Sequence, residues 1–371
     1  MKNISLLLAA LLTAVALPKT GYAQATNNGS LAVGFAARSL LPSGPYDWRG
    51  SPAHSASEVI WYPAEAGTAM KPQRIPPVGE ALFEAAPAAS NARIATAPAK
   101  LPLILLSHGT GGSAQSMAWF ATALAAKGYI VAAINHPGNN ALETYTVQGF
   151  MLWWLRAKDL STMLSDLLAD DEFGSRIDRN RIGAAGFSLG GYTMIEIAGG
   201  ITSLAQFNKT CADAPQQSCK APPEFGDLIG KTEALAKSDS DFAKALRGDS
   251  ASYREPRVRA VFAMAPALGP AITEKSLKSI SIPVAIAAGE SDSVVPIDAS
   301  AKYYVAKIPH AALTIFPGGV DHYVFLDECT DVGRKALPGL CVDKPGVDRE
   351  AIHNATIDLA AKFFALHLSA R

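Results

Sequence analysis

Residues 182–197 read IGAAGFSLGGYTMIEI, in which an apolar run leads into a glycine-flanked serine and a second apolar run follows. This pattern predicts a strand, a sharp turn and a helix, with Ser188 in the turn and its hydroxyl exposed at the tip of a sheet. Gly186 and Gly190 suit the turn because side chains there would collide across the bend, and glycine tolerates strained backbone angles. The pentapeptide 186–190 also arises by chance, so its significance depends on the segments around it.

The segments on both sides alternate between apolar strands and amphipathic helices. Candidate strands at 31–37 and 58–62 and a loop or hairpin over 63–100 come first, and the further predicted strands are 101–106, 129–134, 181–185, 258–264, 284–288 and 312–316. The predicted helices are one that contains Met117 and ends at Gly128, one over 151–170, one after Ser188, and a last one that contains Ile352 and Leu366. Strands that are apolar throughout are typical of a mainly parallel sheet with helices on both faces, so we predict an α/β fold.

Residues 201–257 interrupt this alternation with many charges, two cysteines and no strand pattern. The segment follows the serine helix, where a cap over the site can be inserted. It is either a lid over the site or a surface excursion without catalytic contact, and the sequence favours neither.

The chain begins with a pattern that is typical of a secretory signal peptide. Lys2 precedes an apolar stretch over 4–17, and Ala23-Gln24-Ala25 offers a cleavage site. The alternative is a membrane anchor, but the stretch is shorter than the roughly 20 residues that a span needs. We therefore predict a signal peptide over 1–25, one catalytic domain over 26–371 and a secreted or periplasmic location.

The charge balance and the cysteines limit the partners. A formal net charge of zero indicates no nucleic-acid partner and no anionic membrane surface, and no later segment has the length and hydropathy of a membrane span. The four cysteines favour two local disulfides, Cys211 with Cys219 and Cys329 with Cys341, although two other pairings are compatible with the sequence. No C-x-x-C or neighbouring histidine pattern accompanies them, so we predict no metal site.

A serine nucleophile needs a histidine base, and the base needs an orienting carboxylate. Among seven histidines, His322 lies in a Gly-rich turn just after the last predicted strand, at the edge of the sheet that presents Ser188. Asp292 follows the preceding predicted strand and is our choice for the acid, with Glu290 as runner-up and Asp321 as a weaker candidate.

Attack on a carbonyl creates an oxyanion that requires two preorganised N–H donors. One is predicted to be the N–H of Leu189, directly after the serine. The other is predicted in the Gly-rich loop 107–113, and we favour the N–H of Thr110 because the glycines let this backbone approach a substrate. His108 in the same loop is predicted to be a buried hydrogen-bonding residue and not a second base.

These motifs resemble those of α/β-hydrolases, in particular the branch that contains secreted platelet-activating-factor acetylhydrolases and bacterial dienelactone-hydrolase-like esterases. The resemblance covers about 30–368 without the insertion, and the segments that carry it are 105–112, 135–139, 186–191, 289–292 and 321–322. It implies the α/β-hydrolase fold, Ser188 as nucleophile, Asp292 as acid, His322 as base and Thr110 as an oxyanion donor, in the chain order of that superfamily. Dienelactone hydrolases proper have a cysteine nucleophile, and the acetylhydrolases usually have a histidine where this chain has Phe187.

The expected function is therefore a serine carboxylic-ester hydrolase that forms an acyl-enzyme and needs no metal or cofactor. Its substrate is a small-molecule or polymeric ester, with an acyl pocket expected near 151–155, the loop after Thr110 and the insertion. An amidase or peptidase with the same residues and a non-catalytic binding protein of the same fold are the alternatives. The sequence leaves the oligomeric state open.

Overall fold

The computed structural model describes residues 31–42, 44–76, 79–215 and 219–369. The signal peptide predicted over 1–25 lies outside the described residues and stays a prediction. In the described ranges, no helix combines the length and the apolar character that a membrane crossing requires.

The described residues form eleven strands: β1 (Val33–Leu40), β2 (Ala56–Pro63), β3 (Lys71–Ile75), β4 (Phe83–Ser90), β5 (Leu101–Ser107), β6 (Ile130–Ile134), β7 (Ile177–Phe187), β8 (Ala260–Met264), β9 (Val284–Gly289), β10 (Ala312–Phe316) and β11 (Glu328–Cys329). The α-helices of the same ranges are α1 (Ala118–Ala126), α2 (Val147–Met151), α3 (Leu155–Ala169), α4 (Leu189–Ala198), α5 (Leu204–Asp213), α6 (Leu228–Ser238), α7 (Ser240–Leu246), α8 (Glu274–Lys278), α9 (Ala301–Val305), α10 (Asp331–Ala336), α11 (Pro338–Cys341) and α12 (Arg349–His367).

The strands form one sheet in the order β10-β9-β8-β7-β5-β6-β2-β1-β4-β11, and β3 pairs with β4. The strands from β10 to β6 in this order are parallel to their neighbours, whereas β2 is antiparallel to both β6 and β1. The carboxyl ends of the parallel strands therefore lie along one edge of the sheet. The mainly parallel α/β sheet predicted from the sequence is confirmed.

Strand β5 shows why these strands are apolar throughout. Leu103 and Leu105 belong to a core that includes residues of α3 and α4, whereas Ile104 and Leu106 belong to a second core that includes residues of α1 and α12. Side chains alternate between the two faces of a strand, so helices on both faces require apolar residues at every position.

Two segments refine the expectations from the sequence. The hairpin alternative for 63–100 is the one observed, because β3 and β4 pair antiparallel and β4 also joins β1. The continuous helix predicted over 151–170 is wrong: α2 ends at Met151 and α3 begins at Leu155. The apolar stripe that suggested a helix begins only at Leu160, and Trp154 before it is fully buried in a separate cluster with Phe242 of α7.

The insertion 201–257 contains α5, α6, α7 and a short 3₁₀-helix at Pro223–Phe225, and no strand in its described residues. A disulfide joins Cys211 of α5 to Cys219. The second disulfide joins Cys329 of β11 to Cys341 of α11. Each bridge closes a short loop, and such loops contribute a few kcal/mol to the free energy of unfolding, in order of magnitude.

The carboxyl group of Glu196 on α4 is buried with a single strong hydrogen-bond partner. Its Oε1 accepts a bond from the Thr202 hydroxyl at 2.6 Å, and within the described chain Oε2 has no partner. Burial raises the pKa of Glu196 to about 8 from an ordinary value of 4.5, and the hydrogen bond from Thr202 opposes this shift. Between these two values the unfolded chain has released the proton that the folded chain retains. The free energy of unfolding therefore falls as pH rises, by at most about 1.4 kcal/mol per pH unit.

We expect Glu196→Gln, which mimics the protonated group, to raise the Tm above that of the wild type by several degrees at pH 8 and by much less at pH 5. Thermal unfolding at both pH values measures this, with the exposed Glu233→Gln on α6 as control. An equal shift at the two pH values would contradict the proposed cost of ionising Glu196.

Candidate active site

Ser188 lies in a strained turn between β7 and α4. Its backbone angles are φ +56° and ψ −115°, in a region that residues with a side chain rarely adopt. The turn is held by the Ser188 N–H, which donates to the carbonyl of Met264 at 2.9 Å, and by the Ser188 carbonyl, which accepts from Tyr192 N–H at 3.0 Å. Strain of this kind is maintained when the surrounding structure determines it, and it presents the side chain away from both elements.

The glycines on either side of Ser188 allow close backbone contacts. A Cβ on Gly190 would overlap the carbonyl oxygen of Ser107 at the end of β5, and one on Gly186 would overlap the carbonyl oxygen of Gly190. The serine turn therefore lies directly against the end of the neighbouring strand.

His322 connects the serine to a carboxylate. Its Nε2 lies 2.9 Å from the Ser188 hydroxyl oxygen, and its Nδ1 lies 2.7 Å from Oδ2 of Asp292. Asp292 follows β9, and His322 begins a 3₁₀-turn after β10, so parallel strands bring all three side chains to one edge. The ring of Phe187 lies 4.8 Å from the ring of His322 and limits its movement.

The other two candidate acids face elsewhere. Glu290 is exposed, and its carboxylate accepts a bond from the N–H of Gly318 at 3.2 Å. Asp321 accepts bonds from the backbone N–H groups of Ser293 and His322, each at 2.8 Å. Asp292 is therefore the candidate that contacts the His322 ring.

The Ser188 residue as a whole is largely covered, although the sequence pattern predicts an exposed hydroxyl. Ser188 is only 8 % exposed and His322 1 %. The Gly-rich loop after β5 lies beside Ser188, since a Cβ on Gly109 would come within 3.3 Å of the serine Cβ. The insertion lies above this loop, because a Cβ on Gly111 would come within 3.3 Å of Cγ of Glu224.

The insertion also packs against the segment before α3 through aromatic rings. The rings of Phe150 and Phe225 lie 5.2 Å apart, and Tyr145 lies 4.9 Å from Phe150. Trp153 meets Phe207 of α5 edge-on at 5.5 Å, while Trp154 is inaccessible to solvent. Part of 201–257 therefore contacts the loop that adjoins Ser188, and Trp154 is a core residue and not a pocket wall.

The predicted oxyanion donors lie on the two segments that flank the serine. We call residues 107–114 the donor loop. Leu189 is the first residue of α4, where N–H groups have no partner within the helix. In the part of the chain that the structure describes, no hydrogen bond takes up the N–H of Thr110 or of Leu189. Both groups are therefore available to an acceptor outside the chain.

His108 in the donor loop is buried and already fully bonded. Its Nδ1 lies 2.7 Å from the carbonyl oxygen of Gly109, and its Nε2 accepts from the N–H of His136 at 3.3 Å. Burial, with the nearby positive charge of Arg156, lowers the pKa of His108 well below its ordinary value. The ring is neutral and makes no contact with Ser188.

A second chain of serine, histidine and aspartate was missed from the sequence. His136 Nε2 lies 3.0 Å from the hydroxyl of Ser107, and His136 Nδ1 lies 2.7 Å from Asp159, which also binds Arg49 at 2.6 Å. Ser107, His136 and Asp159 are all completely buried, so no substrate reaches them. A signal was present, because Asp159 and Arg156 lie on the apolar face of α3 that also carries Met163.

No group of three His, Cys, Asp or Glu side chains within the described ranges is arranged to hold a metal ion.

Comparisons with known proteins agree with this architecture. A family model described as platelet-activating factor acetylhydrolase, isoform II, matches residues 75–151. A curated relative, Lipase 1 of Moraxella sp. (strain TA144), is 28 % identical over 139 residues, which are 38 % of this chain and 38 % of the lipase. The matched region thus spans well under half of the lipase. A solved structure of a ferulic acid esterase from Streptomyces cinnamoneus superposes with a TM-score of 0.60 at 19 % identity, over 94 % of this chain and 93 % of that one.

The family match and the structural likeness differ in how much of the chain they cover. The family match contains the whole donor loop and ends before Ser188, whereas the structural likeness extends over nearly the whole sheet and its helices. The order of the strands, the serine turn between β7 and α4 and the structural likeness together show the α/β-hydrolase fold, and the family model and the lipase match agree with it.

Proposed function

We propose that the protein is a serine carboxylic-ester hydrolase in which Ser188 is the nucleophile, His322 the base and Asp292 the orienting acid. The observation that carries this proposal is the single imidazole that bridges Ser188 at 2.9 Å and Asp292 at 2.7 Å. A histidine that lies between a serine hydroxyl and a carboxylate matches the requirements of acyl transfer, and the serine lies on a strained turn beside available N–H donors.

The proposed reaction has two stages. His322 Nε2 takes the proton of the Ser188 hydroxyl while its oxygen attacks the ester carbonyl, and the N–H groups of Thr110 and Leu189 bind the oxyanion. The tetrahedral intermediate collapses, and the alcohol leaves with the proton from His322. Water then attacks the acyl-enzyme with His322 again as base, which releases the acid and restores Ser188. Asp292 accepts a hydrogen bond from the Nδ1–H of His322 throughout, remains ionised and stabilises the imidazolium.

The natural location that we propose is outside the cytoplasm. The two disulfides support this, because such bonds persist in oxidising compartments. The predicted leader over 1–25 agrees with it.

Amide hydrolysis by the same residues is the second candidate. The named relatives, a lipase and a ferulic acid esterase, act on esters by their names, which favours an ester substrate. A non-catalytic binding protein has no physical need for the complete chain of Asp292, His322 and Ser188.

We expect kcat/KM on p-nitrophenyl butyrate to exceed that on the matched butyryl p-nitroanilide by at least about 100-fold, or about 2.7 kcal/mol in activation free energy. Steady-state assays with both substrates measure the ratio, and a series of acyl chains from acetate to palmitate defines the acyl pocket. If the anilide were cleaved faster than the ester, the protein would be an amidase and not an esterase. No turnover together with no labelling by a fluorophosphonate would favour the binding protein.

A further inference from the structure

The donor loop contains Gly109, Gly111 and Gly112, so few side chains of its own restrict its backbone angles. Gly111 has φ +60°, in the left-handed region, and Thr110 lies between two glycines. An oxyanion donor has to be aimed before the reaction, because its benefit depends on preorganisation. The Gly109 carbonyl, which shares a peptide group with the Thr110 N–H, is bound within the donor loop by His108 Nδ1 and by the Gly112 N–H. The Gly111 groups that follow are held from outside the donor loop.

A second loop supplies these contacts. We call residues 135–145, which follow β6, the template loop. Six hydrogen bonds join it to the donor loop: Ser107 Oγ with His136 Nε2 (3.0 Å), His136 N–H to His108 Nε2 (3.3 Å), Gly111 N–H to Asn139 Oδ1 (2.7 Å), Ala114 N–H to Asn135 Oδ1 (2.7 Å), Ala141 N–H to Gly112 O (2.8 Å) and Tyr145 Oη–H to Gly111 O (2.9 Å).

The template loop is itself anchored in the core. His136 is bound by Asp159 of α3, and Asp159 is neutralised by Arg49, with all three side chains buried. Arg156, also on α3, donates to the carbonyl of His108 and to the Ser107 hydroxyl. The buried and paired side chains of His136, Asp159 and Arg49 therefore hold the template loop in one conformation, whereas Nε and Nη1 of Arg156 have no hydrogen-bond partner among the described residues.

We propose that the template loop sets the donor loop in its oxyanion-binding conformation, and that Asn139 is a positioning residue that acts through Gly111. The inference rests on the proposed function. Asn139 fixes the N–H of Gly111 and Tyr145 fixes the carbonyl of Gly111, so both peptide groups of the left-handed residue are held. The N–H of Thr110 belongs to the preceding peptide group, between Gly109 and Thr110, and its direction is set together with that of Gly111. Asn139 is 1 % exposed, so its side chain is covered by the protein and acts only through its neighbours.

The test compares Asn139→Leu, which has the same number of side-chain heavy atoms but removes both the acceptor toward Gly111 and the donor to the Gly149 carbonyl, with Asn139→Asp, which keeps an acceptor oxygen toward Gly111 whether or not it is protonated. For Asn139→Leu we expect a fall in kcat of about 100-fold on p-nitrophenyl butyrate with KM within about threefold, since loss of one oxyanion donor costs about this much. Affinity for a boronic acid, which mimics the tetrahedral intermediate, should fall by the same factor as kcat/KM. Asn139→Asp should retain at least about ten times the kcat of Asn139→Leu.

The neighbouring Asn140→Leu is the matched control. Asn140 is equally buried, but its side chain bonds only within the template loop, to the His136 carbonyl, Glu143 and Leu142. Its loss of kcat should be at least about tenfold smaller. Equal losses of kcat in Asn139→Leu and Asn140→Leu would overturn the inference. It would also be overturned if the loss of kcat followed the loss of Tm and were larger in Asn139→Asp than in Asn139→Leu. A wild-type protein without ester turnover would instead overturn the proposed function. In that case hydrogen exchange at the Gly111 N–H, slow in the wild type and fast in Asn139→Leu, still tests whether Asn139 orders the loop.

Discussion

Ser188→Ala should lose about 10⁶-fold in kcat on p-nitrophenyl acetate and butyrate, because the nucleophile and its proton transfer disappear together. The side chain of Ser188 accepts or donates one hydrogen bond, to His322, and its backbone bonds to Met264 and Tyr192 remain in the variant. The fold should therefore survive, with a Tm close to that of the wild type. Rates measured on protein that has been titrated for active sites give the loss directly.

The matched control is Ser175→Ala. Ser175 is exposed just before β7 begins, at the end of that strand opposite Ser188, and its hydroxyl makes only a long bond to Glu172. It should keep full activity. Retained turnover in Ser188→Ala would remove Ser188 from the mechanism.

A fluorophosphonate provides a second readout of the same prediction, because the described residues include two serines that contact a histidine bound to an aspartate. Ser107 has no exposed surface, whereas Ser188 keeps 8 %. Labelling of the wild type should therefore map to the peptide that contains Ser188 and vanish in Ser188→Ala. An adduct on Ser107 would mean that Ser107, His136 and Asp159 are the catalytic set in place of Ser188, His322 and Asp292.

The sheet could be predicted from the sequence because its signal is local. A run such as Leu103 to Leu106 is apolar at every position only if both faces are covered, and helices at regular intervals provide the cover. The break between α2 and α3 carries no such signal. It depends on Trp154, which packs against Phe242 more than 80 positions later in the chain.

The sequence predicts which strand ends carry the residues of the candidate site, but not which side chains at those ends contact one another. Parallel strands bring the segments after β7, β9 and β10 to one edge, which limits the acid to a few positions there. Asp292 and Glu290 lie two residues apart, and only the three-dimensional structure shows which one contacts the ring. Residues 135–139 carry part of the resemblance, but the sequence predicts no role for them because their hydrogen bonds join residues about 28 positions apart.

Asp292→Asn should lower kcat by about 10⁴-fold, the second largest effect that we expect. Oδ1 of Asp292 accepts from the N–H groups of Val294 at 3.0 Å and Val295 at 2.6 Å, while Oδ2 faces His322. In the variant the amide oxygen has to stay with the two backbone donors, so the NH₂ group points at Nδ1 of His322. An NH₂ group donates, which makes Nδ1 an acceptor and leaves the ring proton on Nε2. A protonated Nε2 cannot take the proton of Ser188.

Glu290→Gln distinguishes this explanation from a general loss of negative charge at the strand end. Glu290 is exposed and bonded to Gly318, away from the imidazole, so its variant should keep kcat within about twofold of the wild type. The tautomer argument also predicts that KM for p-nitrophenyl butyrate changes little in Asp292→Asn, since the proton misplaced on His322 affects the transition state and not the binding of the ester. If Glu290→Gln lost its activity while Asp292→Asn kept it, Glu290 and not Asp292 would be the orienting acid. Equal partial losses of kcat in both variants would mean that the negative charge near the end of β9 matters more than the hydrogen bond of 2.7 Å between Asp292 and His322.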